Sequence, residues 1–360
     1  MSTLQVNHEL AYNYIVGIGG IGSGMLFSLQ GSHNLGRNES RLATLEPSKD
    51  FCKQHIIMHY LAVLLGAQPH GRFQSFPIGK VGQDDVGKEL YTMMRQVGMS
   101  VEGIAKSTEK RTLFSVCYQY SNFEGGNITT DNSASSEVIP ADIERFFYDK
   151  DGLINKRGMT LAAPEVGIDA RLALLTKGRE MGLFNVAAVL SSEVLEFEKS
   201  GGFEMVDLLA VNIDEAQHIA QKMEGNRETK VLVDSCLKRL QLANPNIILL
   251  VTDGGHGSYV CQRDRQEFVP AIETEVVSTA GAGDAFLSGT LTGICSGLPL
   301  FRQNDNVGLH TAVELGTLVA SMSVTSADTI HLGLDADSLR AYAQSKEIKI
   351  EFFQSKSINR

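Results

Sequence analysis

The chain has 360 residues, 43% of them apolar, enough to bury a large core as one big α/β domain or two smaller ones. A formal net charge of −10 argues against a nucleic-acid surface and against a basic membrane patch. No window approaches the roughly 20 apolar residues that a membrane span needs.

The first residues lack the charged and apolar regions of a secretory leader. Cys52, Cys117, Cys236, Cys261 and Cys295 form no C-x-x-C pair. Both features predict a cytoplasmic protein with reduced thiols. Residues 14–18 read as a buried strand that runs into Gly17-Ile18-Gly19-Gly20-Ile21-Gly22, a formal G-x-G-x-x-G, with Glu46 as a ribose ligand. One reading is therefore a Rossmann-type NAD(P)-binding oxidoreductase using Gly17 to Gly22. Against it, Glu46 lies beyond the usual spacing, and Ser23-Gly24 and residues 32–37 make a poor first helix. Helical patterns follow at 51–65 and 85–97, ended by Gly66 and Gly98. The first places Cys52, His55 and His59 on one face, which admits zinc ligation, substrate contact or plain packing. Residues 110–120 alternate like a half-exposed strand, 122–127 are turn-rich and 128–138 polar. That stretch reads as a β-excursion from the main domain, or as a solvated hairpin without a role. A helix at 170–181 leads to a strand at 185–190. Short apolar runs at 207–212 and 246–252 then end in polar or Gly-rich turns. Such alternation predicts an α/β fold of three layers, with a mainly parallel sheet and ligands at the carboxyl ends of its strands.

Three strand ends carry chemistry. Asn212-Ile213-Asp214-Glu215 follows one strand and opens a helix. It reads as a capping box, or as oxygen ligands that hold Mg²⁺ through its water shell. Thr252-Asp253-Gly254-Gly255-His256-Gly257 is either a hairpin turn or a loop whose glycines let the backbone approach a base or phosphate. Ser278-Thr279-Ala280-Gly281-Ala282-Gly283-Asp284-Ala285-Phe286 joins a β-like run at 272–277 to an apolar helix at 285–295. Small residues at the positive end of a helix dipole make an anion hole. A carboxylate there repels its ligand, unless Asp284 serves to take a proton from a hydroxyl that attacks a bound phosphate.

The segment 279–286 resembles the D-T-x-G-A-G-D-x-F signature of the ribokinase-like (PfkB-type) carbohydrate kinases. The N-x-x-E of Asn212 and Glu215, the T-x-G-x-x-G of Thr252, Gly254 and Gly257, and the V-G-x-D-x-x-G of Val81, Gly82, Asp84 and Gly87 are similar to further family motifs in the family's order. The resemblance implies a ribokinase-like domain over 1–340, carrying a small β-sheet lid from about 108–138. A part of 24–46 is a second source for the lid, and 341–360 form a peripheral segment. It implies an ATP-dependent phosphotransferase acting on a sugar or sugar-like hydroxyl. Asp284 would be the base, with Gly281, Ala282 and Gly283 as anion hole. Thr252, Gly254, Gly257 and Thr279 would bind ATP, Asn212 and Glu215 would organise Mg²⁺, and the small-residue helix at 311–325 would close the adenine pocket. A homodimer through the lid is an assembly the resemblance allows; no nucleic acid or membrane partner is expected. Lys80, beside the glycines at 79–87, is read as solvated rather than as a phosphate ligand.

The family pattern fails at the acceptor end. Ser278 replaces the signature's first Asp, no Asp follows the first strand, and no Gly-Gly precedes the following helix. Residues 188–193 lack the family's D-x-N-x-R. An acceptor other than a standard furanose or hexose fits this erosion, as does a non-catalytic nucleotide-binding member of the family.

Overall fold

The computed structural model describes residues 9–31, 33–121, 125–150, 157–221, 228–303 and 308–350. Its strands are β1 (Tyr14–Ile18), β2 (Gly22–Leu29), β3 (Ala43–Phe51), β4 (Gln74–Gly82), β5 (Ile104–Ser107), β6 (Leu113–Gln119) and β7 (Gly125–Thr129). They continue with β8 (Gly158–Ala162), β9 (Phe184–Ala188), β10 (Leu208–Asn212), β11 (Ile248–Thr252), β12 (Gly257–Gln262) and β13 (Arg265–Pro270). The helices are α1 (Lys53–Leu65), α2 (Asp85–Gln96), α3 (Pro140–Asp149), α4 (Ile168–Glu180), α5 (Val194–Lys199), α6 (Gly202–Met205), α7 (Ile213–Ala220), α8 (Thr229–Ala243), α9 (Ala282–Cys295), α10 (Ala312–Ser323) and α11 (Ala336–Ser345).

Nine strands form the main sheet in the order β13-β12-β11-β10-β9-β8-β1-β4-β5. Pairing is parallel from β11 to β5, and β12 and β13 close one edge antiparallel. The central strands read as unbroken apolar runs because both faces are covered. Along β1, Ile15 joins a core with α1, α9 and α10, while Tyr14, Val16 and Ile18 face a second core with α4, α7 and α8. The period-two alternation of a strand thus divides one sequence between two cores. These are the three layers that the β–α alternation predicts.

A second sheet, in the order β3-β2-β6-β7, stands apart from the first. Its β2 leaves the end of β1, and its β3 leads into α1. The stalk is braced by Asp84, whose carboxylate accepts from the Gly87 N–H at 2.8 Å and from the Thr112 N–H and hydroxyl at 2.8 and 2.6 Å. The V-G-x-D-x-x-G segment therefore caps α2 and ties it to the root of the small sheet. Lys80 is no phosphate ligand and is not solvated either: its ammonium donates to the Glu137 carbonyl at 2.6 Å and pairs with Asp142 at 3.0 Å.

Several boundaries differ from the sequence reading. Residues 272–277 are not a strand. β13 stops at Pro270, which has no N–H to continue a ladder, and the chain then runs irregularly along the cleft described below. α9 starts at Ala282 rather than 285, and α1 at Lys53 rather than 51, because Phe51 still pairs with Ser23 in the small sheet. No boundary falls at residue 340, since α11 runs through it with Leu339 and Ala343 in the core. Residues 122–124 of the turn-rich stretch and 351–360 of the tail lie outside the described residues.

The Rossmann reading fails on topology. After β1 the chain enters strand β2, not a helix, so no helix N-terminus stands behind the glycines to hold a pyrophosphate. Those glycines make room instead. A Cβ on Gly17 would lie 2.3 Å from Met58 Sδ, and one on Gly20 would lie 2.6 Å from the Glu165 side chain. Among the described residues, no group of three or more His, Cys, Asp or Glu side chains is placed to ligate a metal ion directly, so Cys52, His55 and His59 do not form a zinc site. Both imidazoles are buried within α1, stacked edgewise near Phe51 and Tyr60. Burial holds His55 down at about 3 and His59 at about 4, so both are neutral packing groups. No helix among the described residues is long and apolar enough to cross a membrane.

Candidate active site

The carboxyl ends of β10 and β11 and the N-terminus of α9 enclose a cleft of about 830 Å³. Its walls include Asn212, Glu215, Thr252, Gly254, Gly257, Thr279, Gly281, Ala282, Gly283 and Asp284. All ten residues singled out in the sequence therefore meet in one space.

Each is positioned by local structure. Gly281 is the N-cap of α9, with φ at +75°, and a Cβ there would lie 2.7 Å from the Thr329 carbonyl oxygen. Only glycine combines that left-handed turn with that approach. Gly283 is different. Its Cβ position faces open space, with Thr252 Oγ1 nearest at 3.9 Å. The bare backbone of Gly283 thus points at the cleft and at the nucleotide-type loop together. The Ala282 N–H is turned back onto the Thr279 carbonyl at 3.2 Å. Of the expected hole, only the Ala282 amide is so engaged: the N–H groups of Gly281 and Gly283, and that of Asp284, have no protein acceptor among the described residues.

Asn212 and Glu215 do form a capping box: the Asn212 N–H donates to Glu215 Oε2 at 2.9 Å, and the Glu215 N–H to Asn212 Oδ1 at 2.8 Å. Burial pushes the Glu215 carboxyl up, opposed by the ammonium of Lys53. With the Asn212 oxygen and one Glu215 oxygen so occupied, the described residues offer no cage for a cation here. The remaining carboxylate oxygens suit a Mg²⁺ ion that arrives on phosphate and keeps most of its water.

Two functional candidates escaped the sequence reading. Lys53, the first residue of α1, places Nζ 3.6 Å from Asp284 Oδ1. It belongs to the Cys52-Lys53-Gln54-His55 stretch at the start of α1. Burial raises the Asp284 carboxyl above the usual range, and the Lys53 ammonium opposes that rise. Glu165 follows β8 with φ at +74°, and its Oε2 is buried without a hydrogen-bond partner among the described residues. Burial pushes its carboxyl up to about 7, with Cys52 and Lys53 acting against that rise. Lys53 had a visible signal, a cation at the start of an otherwise apolar helix. Glu165 had none, since only the left-handed backbone turns it inward.

The far end of the cleft is lined by Thr317, Ala320 and Ser321 of α10 and by the irregular segment with Ile272, Thr274 and Val276. This is an apolar slot with hydroxyl edges, of the kind that takes a flat base. The pfkB family carbohydrate kinase description matches residues 59–336. The chain belongs to the pfkB family of carbohydrate kinases. It is 22% identical over 273 residues to 5-dehydro-2-deoxygluconokinase of Listeria innocua, covering 73% of this chain and 79% of that one. Ribokinase from Cryptococcus neoformans in complex with ADP shares the fold with a TM-score of 0.72 at 17% identity, over 91% of this chain and 99% of that one. A nucleoside kinase from Burkholderia thailandensis in complex with inosine aligns with a TM-score of 0.69 at 17% identity, over 93% and 100%. The family reaction is ATP-dependent phosphorylation of a sugar, and this pfkB member is a carbohydrate kinase of ribokinase-like fold.

Proposed function

We propose that this pfkB kinase transfers the ATP γ-phosphoryl group to a hydroxyl of a polyhydroxylated, sugar-like acceptor, with Asp284 as the base. The observation that carries the reading is the position of Asp284. It is the third residue of α9, beside free backbone donors and 3.6 Å from an ammonium, in a cleft shared with Thr252 and Glu215.

The adenine would lie between α10 and the segment around Thr274, with its phosphates running past Thr252, Gly254 and Gly257 to α9. The Gly283 and Asp284 amides then face the transferring group, where fixed dipoles need no reorganisation. Asp284 orients the acceptor hydroxyl and takes its proton late, as the oxygen bonds to phosphorus and becomes acidic. Mg²⁺, when bound, neutralises phosphate charge, and Glu215 and Asn212 are the residues that would hold it, through water. The acceptor lies toward Lys53, Glu165 and the glycine floor at Gly19 and Gly20. The small sheet, which the chain enters directly after that floor, would act as a lid that excludes water as a competing acceptor.

The test is ADP release from Mg-ATP with D-ribose, D-fructose, inosine and 5-dehydro-2-deoxy-D-gluconate as acceptors. At least one should exceed the acceptor-free rate. Asp284→Asn should lower kcat by about 10³ with the Kd for Mg-ATP nearly unchanged. Undiminished turnover in D284N overturns the base assignment. Tight Mg-ATP binding without transfer to any acceptor would instead favour a nucleotide sensor.

A further inference from the structure

Among the described residues lining the cleft, Lys53 is the sole lysine or arginine, against Asp214, Glu215, Glu273 and Asp284. Its placement breaks a local rule. A cation in the first turn of a helix opposes the dipole, and α1 has neither an acidic residue in that turn nor a side-chain cap at Cys52 to offset it. Such violations are retained where tertiary chemistry requires them. The alternative counterions of the neighbourhood are committed elsewhere: Lys80 to Asp142, and Arg171 to Glu193 at 2.7 Å. Lys53 is not locked in the same way. Its Nζ stands at 3.6 Å from Asp284, an ion-pair distance rather than a short hydrogen bond, and a quarter of its side chain remains exposed to the cleft.

The groups that face it come from four elements. Asp284 lies on α9, Glu215 on α7 and Glu165 after β8, all acting on the ammonium in the same direction. Asp50, at the root of the small sheet, adds negative charge near Asp284 and is itself held by the Ser115 hydroxyl at 2.8 Å. One partly exposed cation thus sits where Asp284, Glu215 and Glu165 all act on it.

We propose that Lys53 is a catalytic cation of the transfer step, pairing with Asp284 in the resting site and with the γ-phosphoryl oxygens during transfer. The inference rests on the phosphotransferase reading given above. The acceptor oxygen bonds to the γ-phosphorus, and the bond from that phosphorus to the β,γ-bridging oxygen breaks, its electron pair leaving with ADP. The acceptor proton goes to Asp284. As Asp284 loses its charge, Lys53 loses its resting partner and is drawn to the arriving phosphoryl group, keeping its own proton throughout. A lysine is suited to this exchange because its charge sits on a flexible stem with three rotatable donors.

The experiment uses the full chain and whichever acceptor of the panel gives the fastest ADP release. Lys53→Ala should lower kcat about a hundredfold while the KM for Mg-ATP changes little. Lys53→Arg should recover a substantial part of the loss. Added ethylamine or propylamine should restore K53A turnover saturably, and propanol should not. Equal kcat in K53A and the unmodified protein, absence of amine rescue in a folded variant, or a loss confined to the acceptor KM would each overturn the proposal. Lys53→Met, which keeps the apolar stem, serves if the alanine variant does not fold. Failure of the phosphotransferase reading is seen separately, as tight Mg-ATP binding by the unmodified protein without acceptor-dependent ADP release. If no acceptor turns over, Mg-ADP with fluoroaluminate replaces the transferring group. K53M must then lose the fluoroaluminate-dependent tightening while keeping its affinity for Mg-ADP. No tightening in the unmodified protein, or equal tightening in K53M, would also overturn it.

Discussion

The two ends of the cleft are built differently. At the proposed phosphate end much of the lining is backbone, the amides of Gly283 and Asp284 and the glycines at 254–257, with the Asn212–Glu215 capping box of α7 beside them. At the proposed acceptor end the lining is side chains, Lys53 and Glu165, beside glycines at 19 and 20 whose missing Cβ leaves room for Gln54 and Glu165. Phosphate is the same in every transfer, so a backbone cradle with short, positionally strict sequence patterns suffices. An acceptor varies, and side chains brought from separate elements can be exchanged without disturbing the cradle. The motif match at one end and its erosion at the other follow from that division.

The sharpest way to break the comparison is to separate two glycines that the motif treats alike. Gly283→Val adds a side chain where only Thr252 stands near, so it should reduce kcat about a hundredfold with little change in Tm. Gly281→Ala should do the reverse in kind. Its left-handed φ and the Thr329 carbonyl make it destabilising by about 2–3 kcal/mol, read as a lowered Tm. If both variants keep turnover, the cradle is not where phosphate sits.

A smaller effect separates capping from metal chemistry at Glu215. Gln also serves at the third position of a capping box, so Glu215→Gln retains the helix start. The Mg²⁺ concentration for half-maximal rate should rise about tenfold, while Tm stays within about a degree. An unchanged magnesium requirement would leave Glu215 a cap and nothing more.

The smallest effect lies at the acceptor end. Burial raises the Glu165 carboxyl from 4.5 to about 7, so the folded state binds its proton more tightly than the unfolded state does. The stability this contributes is complete below pH 4.5 and is lost as pH rises through about 7. Glu165→Gln should remove that dependence, so Tm of the unmodified protein should fall relative to E165Q between pH 4.5 and 7. Parallel curves across that window would place Glu165 in water.

The phosphate end was legible in the chain because its residues are contiguous. Residues 252–257 and 212–215 each follow an apolar strand, 278–286 follow a β-like run, and all three line the same cleft. Even so, the segment at 272–277 was misread as a strand, since two adjacent valines look the same whether or not a partner strand exists. Val277 instead donates its N–H to the Val324 carbonyl at 2.8 Å, beyond the end of α10. The glycines at 17–22 were ambiguous for a related reason. A glycine that admits a phosphate and a glycine that admits Met58 or Glu165 are the same letter, and only the following element, β2 rather than a helix, separates them.

By itself, then, the amino-acid sequence determined the layered α/β fold and picked out the loop at 252–257, the start of α9 and Asp284, to which the proposed nucleotide, cradle and base roles are given. These depend on periodicity and on short-range backbone geometry, both of which are written in consecutive residues. Tertiary structure alone decided that His55 and His59 pack neutrally in a core. It also decided that Lys53 and Glu165, more than a hundred residues apart, converge on Asp284. Charges that meet from distant segments leave no local pattern, because their interaction depends on separation in space and not along the chain.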